Sequence, residues 1–309
     1  MADFGVTQAP SPTRLDELLD DALMSRIERL DIMSRKQVLG TVQGERQSRR
    51  KGVSIEFADY RHYVPGDDLR FIDWNIFARL DRLFLRLFVE EQDLSLVIAI
   101  DTSASMGWGN PGKFDTCRRL AMALSYIGLV NHNRVSLFSF DDRGVQGLES
   151  LRGRRRAHDA GQWLLERSLG EGSGFDEAMK TIALSRKGRG VTIVLSDFLF
   201  KEGIDRGSRF IAGGGYDTFF LQMLAPEEVD PAGAGLVGDL KLTDLEDGTS
   251  TDVTVTPALL AKYRSNLDGW CGNLRESCIR RGILHVLGNT GTDLDELLIE
   301  HFRHRGILK

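Results

Sequence analysis

The feature that most constrains the fold is a regular alternation of strand and helix patterns that begins at Leu94. Strands that alternate with helices indicate a mostly parallel sheet covered by helices on both faces. The predicted strands are 94–100, 135–140, 191–196, 216–224 and 283–287. The predicted helices are 114–130, 157–169, 175–187, 257–281 and 293–303. We therefore expect a doubly wound α/β domain.

Three further patterns lie outside this alternation. The letters DDRG at 141–144 predict a tight turn into a short strand, and residues 242–255 predict a loop followed by a hairpin or an edge strand. Upstream, apolar residues at helical spacing predict one helix over about 14–33, with Thr13 and Asp16 in a capping box. The predicted organisation is a disordered N-terminus (1–12), a smaller β-containing subdomain with the N-terminal helix (13–92), and the α/β domain with a C-terminal extension (93–309).

Composition and charge limit the classes of partner. The 309 residues are 41% hydrophobic and 28% charged, as is typical of a globular protein with a core, and their net charge is −5. This charge gives no reason to expect nucleic acid or an anionic membrane as the partner. Basic runs at 44–52 and 152–156 are typical of solvated loops, with nucleic acid, phosphate or an acidic protein surface as the alternatives.

The expected compartment is the cytoplasm, on three observations. No apolar run approaches the roughly 20 residues that span a bilayer. The N-terminal residues lack the basic and apolar regions of a signal peptide. Three sparse cysteines without a CxxC pair favour reduced thiols over a disulfide framework.

The candidate site follows the most apolar strand, which stops at Asp101 and is followed by Ser103 and Ser105. Asp197 ends a second strand, and ligands of open parallel sheets bind outside the carboxyl ends of the strands. Two carboxylates brought to one edge repel each other unless a cation or a proton lies between them. With the hydroxyl oxygens they would make a partial shell for Mg²⁺.

Other interpretations of this pattern stay open on the residues alone. Asp and Ser also favour turns and helix caps, so an ordinary turn is the plainer alternative. A phosphotransfer aspartate is disfavoured because its motif places a second carboxylate two residues later, where this chain has Ser103. The sequence contains no phosphate-binding loop, nucleophile elbow, HExxH motif or Cys/His cluster.

The letters IDTSASM resemble the first segment of the metal-ion-dependent adhesion site of von Willebrand factor A domains. In that family a threonine from a second loop and an aspartate after a later strand complete the site. The letters GEGSGFDEAM place Ser173 at the threonine position, and Asp197 matches the later aspartate. Serine keeps the ligating hydroxyl. Gly174 stands where the family often has aspartate, which removes a charge that would favour metal binding.

A longer stretch, from Gly52 to Met106, is similar to the signature of the domain-of-unknown-function 58 family, and the chain's final letters also resemble that family's tail. The resemblance implies a von Willebrand A-like fold and a binding role in which a bound cation engages an acidic side chain of a partner. It also implies Mg²⁺, with Mn²⁺ or Ca²⁺ as alternatives. The implied partner is a MoxR-type AAA+ ATPase, for which such proteins look like adaptors or co-chaperones.

The signature contains a dense set of charged and aromatic residues around a proline–glycine turn. We expect it to form a network that serves as a structural latch, with a partner-docking surface as the alternative. Its members are Tyr63, Pro65, Gly66, Asp67, Asp68, Arg70, Asp73, Trp74 and Arg79. Asp67 and Asp68 are poor candidates for a catalytic pair because adjacent residues of a strand point to opposite faces.

Three hypotheses for function follow. The first is a non-enzymatic, metal-dependent protein-binding module, and the second is a metal-dependent hydrolase that uses the same cation as a Lewis acid. The third is a structural interaction domain with a vestigial metal site. The first is favoured because the sequence offers no clear general base or nucleophile for a hydrolase.

Overall fold

The computed structural model describes residues 11–32, 34, 57–88, 94–243, 249–303 and 306–309, without the side chains of 57–59, 87–88 and 299–301. The chain divides into two compact units. Residues 43–93 form the smaller one, and the remaining described residues form the larger one. The expected disorder of residues 1–12 falls mostly outside the described residues.

The strands and helices are numbered in chain order. The described strands are β1 (Phe57–His62), β2 (Phe84–Phe88), β3 (Ser95–Asp101), β4 (Arg134–Asp141), β5 (Gly144–Leu151), β6 (Gly190–Ser196), β7 (Tyr216–Leu224), β8 (Gly238–Thr243), β9 (Ser250–Val255) and β10 (Leu284–Asn289). The described α-helices are α1 (Leu15–Leu18), α2 (Asp21–Ile27), α3 (Trp74–Leu80), α4 (Lys113–Val130), α5 (Ala157–Leu165), α6 (Phe175–Ser185), α7 (Asp205–Ile211), α8 (Pro226–Val229), α9 (Pro257–Arg280) and α10 (Leu294–Glu296). Short 3₁₀ helices cover Leu69–Phe71, Ala104–Gly107 and Arg154–Arg156.

A six-stranded sheet in the order β10-β7-β6-β3-β4-β5 forms the centre of the larger unit. All neighbouring pairs are parallel except β4 and β5, which are joined by the turn predicted at 141–144. The predicted doubly wound α/β class is confirmed. The strand predicted within 242–255 is present as the separate antiparallel pair β8–β9, and residues 244–248 of that prediction lie outside the described residues.

Strand β3 is buried along its whole length, as a parallel strand covered on both faces must be. Its alternate side chains enter two cores because successive residues of a strand point to opposite faces. Leu96, Ile98 and Ile100 pack in the core that contains α4. Val97 and Ala99 pack in the core that contains α6.

The N-terminal helix predicted over 14–33 is wrong as a single element. The structure has two short helices, α1 and α2, separated at Asp20, whose carboxylate accepts a hydrogen bond (2.7 Å) from the backbone N–H of Leu23. Asp20 therefore starts a second helix. Leu18 and Ile27 are buried in the core of the larger unit, whereas sequence analysis grouped this segment with the signature subdomain.

The predicted capping acid is also different. Glu17 Oε2, not Asp16, accepts hydrogen bonds from the backbone N–H groups of Thr13 (2.6 Å) and Arg14 (3.1 Å). Asp16 instead pairs with the guanidinium of Arg14. The acid three residues after the N-cap fits the capping-box geometry, and here the N-cap is Arg14.

The remaining helix predictions agree with the structure except near the C-terminus and at the end of α5. The predicted helix 293–303 is instead α10 followed by a π-helical turn, Leu297–Phe302. Helix α5 ends four residues before its predicted end at 169. Sequence analysis missed α7 and α8, which are too short to show a helical period.

In the smaller unit, β1 and β2 pair antiparallel and α3 begins directly after Asp73. Asp73 accepts hydrogen bonds from the backbone N–H groups of Asn75 and Ile76, and it also accepts from Arg86 Nε (2.9 Å) and the Tyr60 hydroxyl (3.2 Å). The carboxylate thus caps the helix and ties it to the strand pair.

The rest of the signature network is local. Asp67 pairs with Arg61 at 2.9 Å, and Asp68 pairs with Arg70 at 2.5 Å. The Pro65–Gly66 turn places Gly66 at a φ of 106°, and the backbone N–H of Tyr63 donates to the Leu83 carbonyl. Trp74 is 59% exposed. Arg79 makes no ion pair with any residue in the described part of the chain.

Of the two basic runs, residues 44–52 lie outside the described part of the chain. In the other, Arg154 pairs with Glu28 at 2.5 Å and Arg156 pairs with Asp159 at 2.9 Å. Among the described helices, none is long and apolar enough to cross a membrane.

The close approach of β3 and β6 requires glycine at 190. A Cβ added there would lie 1.8 Å from the Ser95 carbonyl oxygen, which is backbone and cannot turn aside. We expect Gly190→Ala to lower the free energy of unfolding by about 1–3 kcal/mol or more, measured by urea denaturation. Gly269→Ala is the control. A Cβ added at Gly269, on the exposed helix α9, would have no atom within 4 Å. The free energy of unfolding of Gly269→Ala should therefore rise by about 0.5–1 kcal/mol. Equal stability of the two variants would contradict the prediction.

Candidate metal centre at the carboxyl edge of the sheet

Asp101 lies fully buried at the carboxyl end of β3, between β4 and β6. Its Oδ1 accepts a hydrogen bond from the backbone N–H of Ser103 (2.9 Å). Its Oδ2 accepts one from the hydroxyl of Ser196 at the end of β6 (2.7 Å). These two bonds fix the orientation of the carboxylate at the sheet edge.

The three predicted hydroxyls come from two loops that hydrogen bonds hold together. The hydroxyls of Ser103 and Ser105 lie 3.2 Å apart. The loop before α6 reaches the first loop through backbone bonds from Gly170 N–H to the Thr102 carbonyl (2.6 Å) and from Ala104 N–H to the Glu171 carbonyl (3.4 Å).

Ser173 is a member of this second loop, and its hydroxyl oxygen is buried without a hydrogen-bond partner among the described residues. A buried hydroxyl left unsatisfied costs about 1–3 kcal/mol. A group that the protein chain does not supply would remove this cost.

Packing explains why position 174 is a glycine, and no pattern in the sequence indicates this. A Cβ at this position would lie 2.5 Å from the carbonyl oxygen of Asp141. The backbone of the second loop therefore passes too close to the end of β4 for any side chain, including the aspartate that the family often has. The suggested effect of the missing charge on metal affinity stays a prediction.

Asp197, directly after β6, is held by three contacts. Its Oδ1 accepts from the backbone N–H of Leu199 (3.1 Å), and its main-chain carbonyl accepts from Gln222 Nε2 (2.9 Å). Its Oδ2 lies 2.7 Å from the ammonium of Lys113, the first residue of α4. That ammonium also lies 2.6 Å from Glu228 Oε1.

Burial and neighbouring charges shift the pKa values of Asp101, Lys113 and Glu228 at this edge. Burial first, and then the negative charge of Asp197, raise the pKa of Asp101 to about 7. Burial opposes the charge on Lys113, but attraction to Asp197 and Glu228 raises its pKa overall. Burial raises the pKa of Glu228, and the negative charge of Asp197 adds to this, although attraction to Lys113 counteracts it.

The structure thus brings the loops of all five predicted ligands to one edge of the sheet. No group of three or more His, Cys, Asp or Glu side chains within the described residues is placed to hold a metal ion. A metal here would therefore depend on the hydroxyls. Two carboxylates and three hydroxyls are hard oxygen donors, which suit Mg²⁺, and the unpartnered Ser173 hydroxyl fits such a ligand.

Sequence analysis missed Lys113, Glu228 and Ser196. One signal for Lys113 was present: a lysine opens α4, a helix most of whose residues are buried, at the end where the positive helix dipole disfavours a cation. Such a placement indicates carboxylates nearby. No sequence pattern pointed to Glu228, because it lies 115 residues from Lys113 along the chain and contacts Lys113 only in the folded protein.

The raised pKa of Asp101 predicts a pH dependence of stability in EDTA. In the unfolded chain an aspartate has a pKa of about 3.9, so between about pH 4 and 7 the folded protein binds more protons than the unfolded chain. The free energy of unfolding should therefore fall as the pH rises through this range, by up to about 1.4 kcal/mol per pH unit, and the fall should cease above the folded pKa.

Asp101→Asn keeps the shape and cannot ionise, so its stability should fall less over the same range when both proteins are measured by denaturant unfolding. Parallel curves for wild type and Asp101→Asn would contradict the prediction.

Two mycobacterial proteins resemble the chain over most of its length. An uncharacterized protein of Mycobacterium tuberculosis and one of Mycobacterium bovis are each 25% identical to it over 259 residues. Each alignment covers 82% of this chain and 80% of the relative.

Solved structures share less with the chain. The SpRpn10 VWA domain is similar with a TM-score of 0.38 and 12% identity, over 67% of this chain and 94% of that domain. Proximal thread matrix protein 1 from the mussel byssus has a TM-score of 0.36 and 12% identity, over 42% of this chain and 38% of that one.

The decisive likeness is to a family. The family described as "Protein of unknown function DUF58" matches residues 59–288, which include most of the signature from Gly52 to Met106 and every predicted metal ligand. The chain belongs to the DUF58 family.

Proposed function

We propose that this protein is a non-enzymatic binding module that holds a divalent cation at the carboxyl edge of its sheet and engages an acidic side chain of a partner protein. The observation that carries the proposal is the buried, unpartnered hydroxyl of Ser173, in a loop hydrogen-bonded to the loop of Ser103 and Ser105. The proposed cation is Mg²⁺, with Mn²⁺ or Ca²⁺ as alternatives.

The residues have separate tasks in this proposal. Ser103, Ser105 and Ser173 would hold the cation with neutral oxygens, and Asp101 and Asp197 would supply negative charge. A bound divalent cation supplies an open coordination position that accepts a carboxylate. Ser196 and the backbone of Ser103 orient Asp101 for this purpose.

A binding role is favoured over hydrolysis by the surroundings of the hydroxyls. Within the described residues, no histidine or cysteine is hydrogen-bonded to Ser103, Ser105 or Ser173, so none of these serines has the imidazole or thiolate partner of a typical activated nucleophile.

The partner that we propose is a MoxR-type AAA+ ATPase, and the proposed compartment is the cytoplasm. The support for this partner is the family resemblance and the binding chemistry of the site. The protein would then act as an adaptor or co-chaperone that presents clients to the ATPase.

The metal is tested by thermal and urea unfolding in EDTA, Mg²⁺ and Mn²⁺. At a concentration 100-fold above the dissociation constant, the metal should add about 2.7 kcal/mol to the free energy of unfolding of wild type. Asp101→Ala should lose this gain, and Ser173→Ala should reduce it. The matched control is Ser125→Ala, which removes a buried hydroxyl that bonds only within α4; its metal response should equal that of wild type. An equal gain in Asp101→Ala would refute the site.

The partner is tested by titrating the full chain with a purified MoxR-type ATPase in Mg²⁺ and in EDTA. We expect at least tenfold weaker binding in EDTA and for Asp101→Ala in Mg²⁺. Substituting acidic surface residues of the ATPase one at a time should identify one whose loss has the same effect. Tight binding whose affinity neither EDTA nor the Asp101 substitution weakens would contradict an acidic contact through the metal.

A further inference from the structure

Lys113 has an unusual position for a lysine. It is 1% exposed, and its ammonium lies 2.7 Å from Asp197 Oδ2 and 2.6 Å from Glu228 Oε1. Buried ammonium groups are rare unless they are paired. The two contacts come from the segments that follow β6 and β7, so the pairing exists only in the folded sheet.

The same ammonium lies at the N-terminus of α4, where the helix dipole is positive and no side chain caps the helix. A cation is held there against the dipole only if nearby negative charge outweighs it. Three buried or nearly buried carboxylates, Asp101, Asp197 and Glu228, provide that charge at the sheet edge. Lys113 is the ammonium that pairs with two of them.

Asp197 differs from the hydroxyl ligands in its present contacts. Each of its carboxylate oxygens already accepts from a donor, Leu199 N–H or the Lys113 ammonium. In the part of the chain that the structure describes, the hydroxyls of Ser103 and Ser105 lie 3.2 Å apart, and that of Ser173 has no partner. A metal ion would therefore share Asp197 with a cation that is already there.

We propose that Lys113 is a resident counter-ion of this site, and that it limits the affinity of the site for divalent cations by holding Asp197. This inference rests on the proposed metal-binding function. Like charges repel at short range and more strongly in a buried site than in water, so the ammonium opposes a second cation. It also offsets part of the negative charge of Asp197 and Glu228 in the absence of metal, which favours folding of the metal-free chain.

The test compares Lys113→Met, which keeps the length of the side chain without its charge, with Lys113→Arg, which keeps the charge. The dissociation constant for Mn²⁺ is measured on the full chain by electron paramagnetic resonance. Lys113→Met should bind Mn²⁺ at least tenfold more tightly than wild type, and Lys113→Arg should stay within about threefold. In EDTA, Lys113→Met should melt below Lys113→Arg, and Mn²⁺ should restore much of the difference.

A second variant decides the question if Lys113→Met does not fold. Glu228→Gln leaves the ammonium to Asp197 alone and removes one negative charge, so it should weaken Mn²⁺ binding at least threefold. The matched control is Glu227→Gln, the neighbouring and more exposed acid, which makes no ion pair with Lys113; its Mn²⁺ affinity should equal that of wild type.

The outcomes separate the two proposals. Binding of Mn²⁺ that depends on Asp101 but is the same in wild type, Lys113→Met and Glu228→Gln would overturn the counter-ion and leave the metal site standing. Binding that does not depend on Asp101 in any variant would overturn the metal site, and the counter-ion inference with it.

Discussion

Three carboxylates and one ammonium lie at the buried carboxyl edge of the central sheet. The contacts of the candidate site pair or orient these charged groups. Asp101 ends β3 and Asp197 follows β6, so the parallel sheet forces their charges together. Burial makes each charge costly unless it is paired. The Lys113 ammonium pairs with Asp197 and with Glu228, and the Ser196 hydroxyl supports Asp101.

The hydroxyl groups of the site differ from the carboxylates in charge and in their contacts. Ser103, Ser105 and Ser173 contribute oxygens that carry no charge, and the Ser173 hydroxyl has no partner within the described residues. The second loop comes so close to β4 that position 174 has no room for a side chain. Tight backbone packing thus fixes the hydroxyls, while hydrogen bonds fix Asp101 and an ion pair fixes Asp197. A divalent cation would bind where these two halves meet, which is the physical basis of the proposed binding role.

The smaller unit uses its charges differently. Asp73 caps α3 and pairs with Arg86, and Asp67 pairs with Arg61. These contacts are local, and they give Asp67 and Asp73 structural partners within the smaller unit. Trp74 is exposed, and both the latch and the docking surface stay predictions.

The sequence by itself determined the α/β class, the succession of strands and helices along the chain, and the expectation of Asp101, Ser103, Ser105 and Asp197 at the carboxyl edge, because periodicity and strand-end position are local properties of the chain. Ser173 was expected there only from the family resemblance. Local patterns also misled: Asp20 interrupts the predicted N-terminal helix, since one capping side chain outweighs a continuous apolar period. Only the tertiary structure decided that Lys113 and Glu228 belong to the site and that Gly174 has no room for a Cβ. These facts depend on distances between residues far apart in sequence, and such distances are set by how the sheet packs.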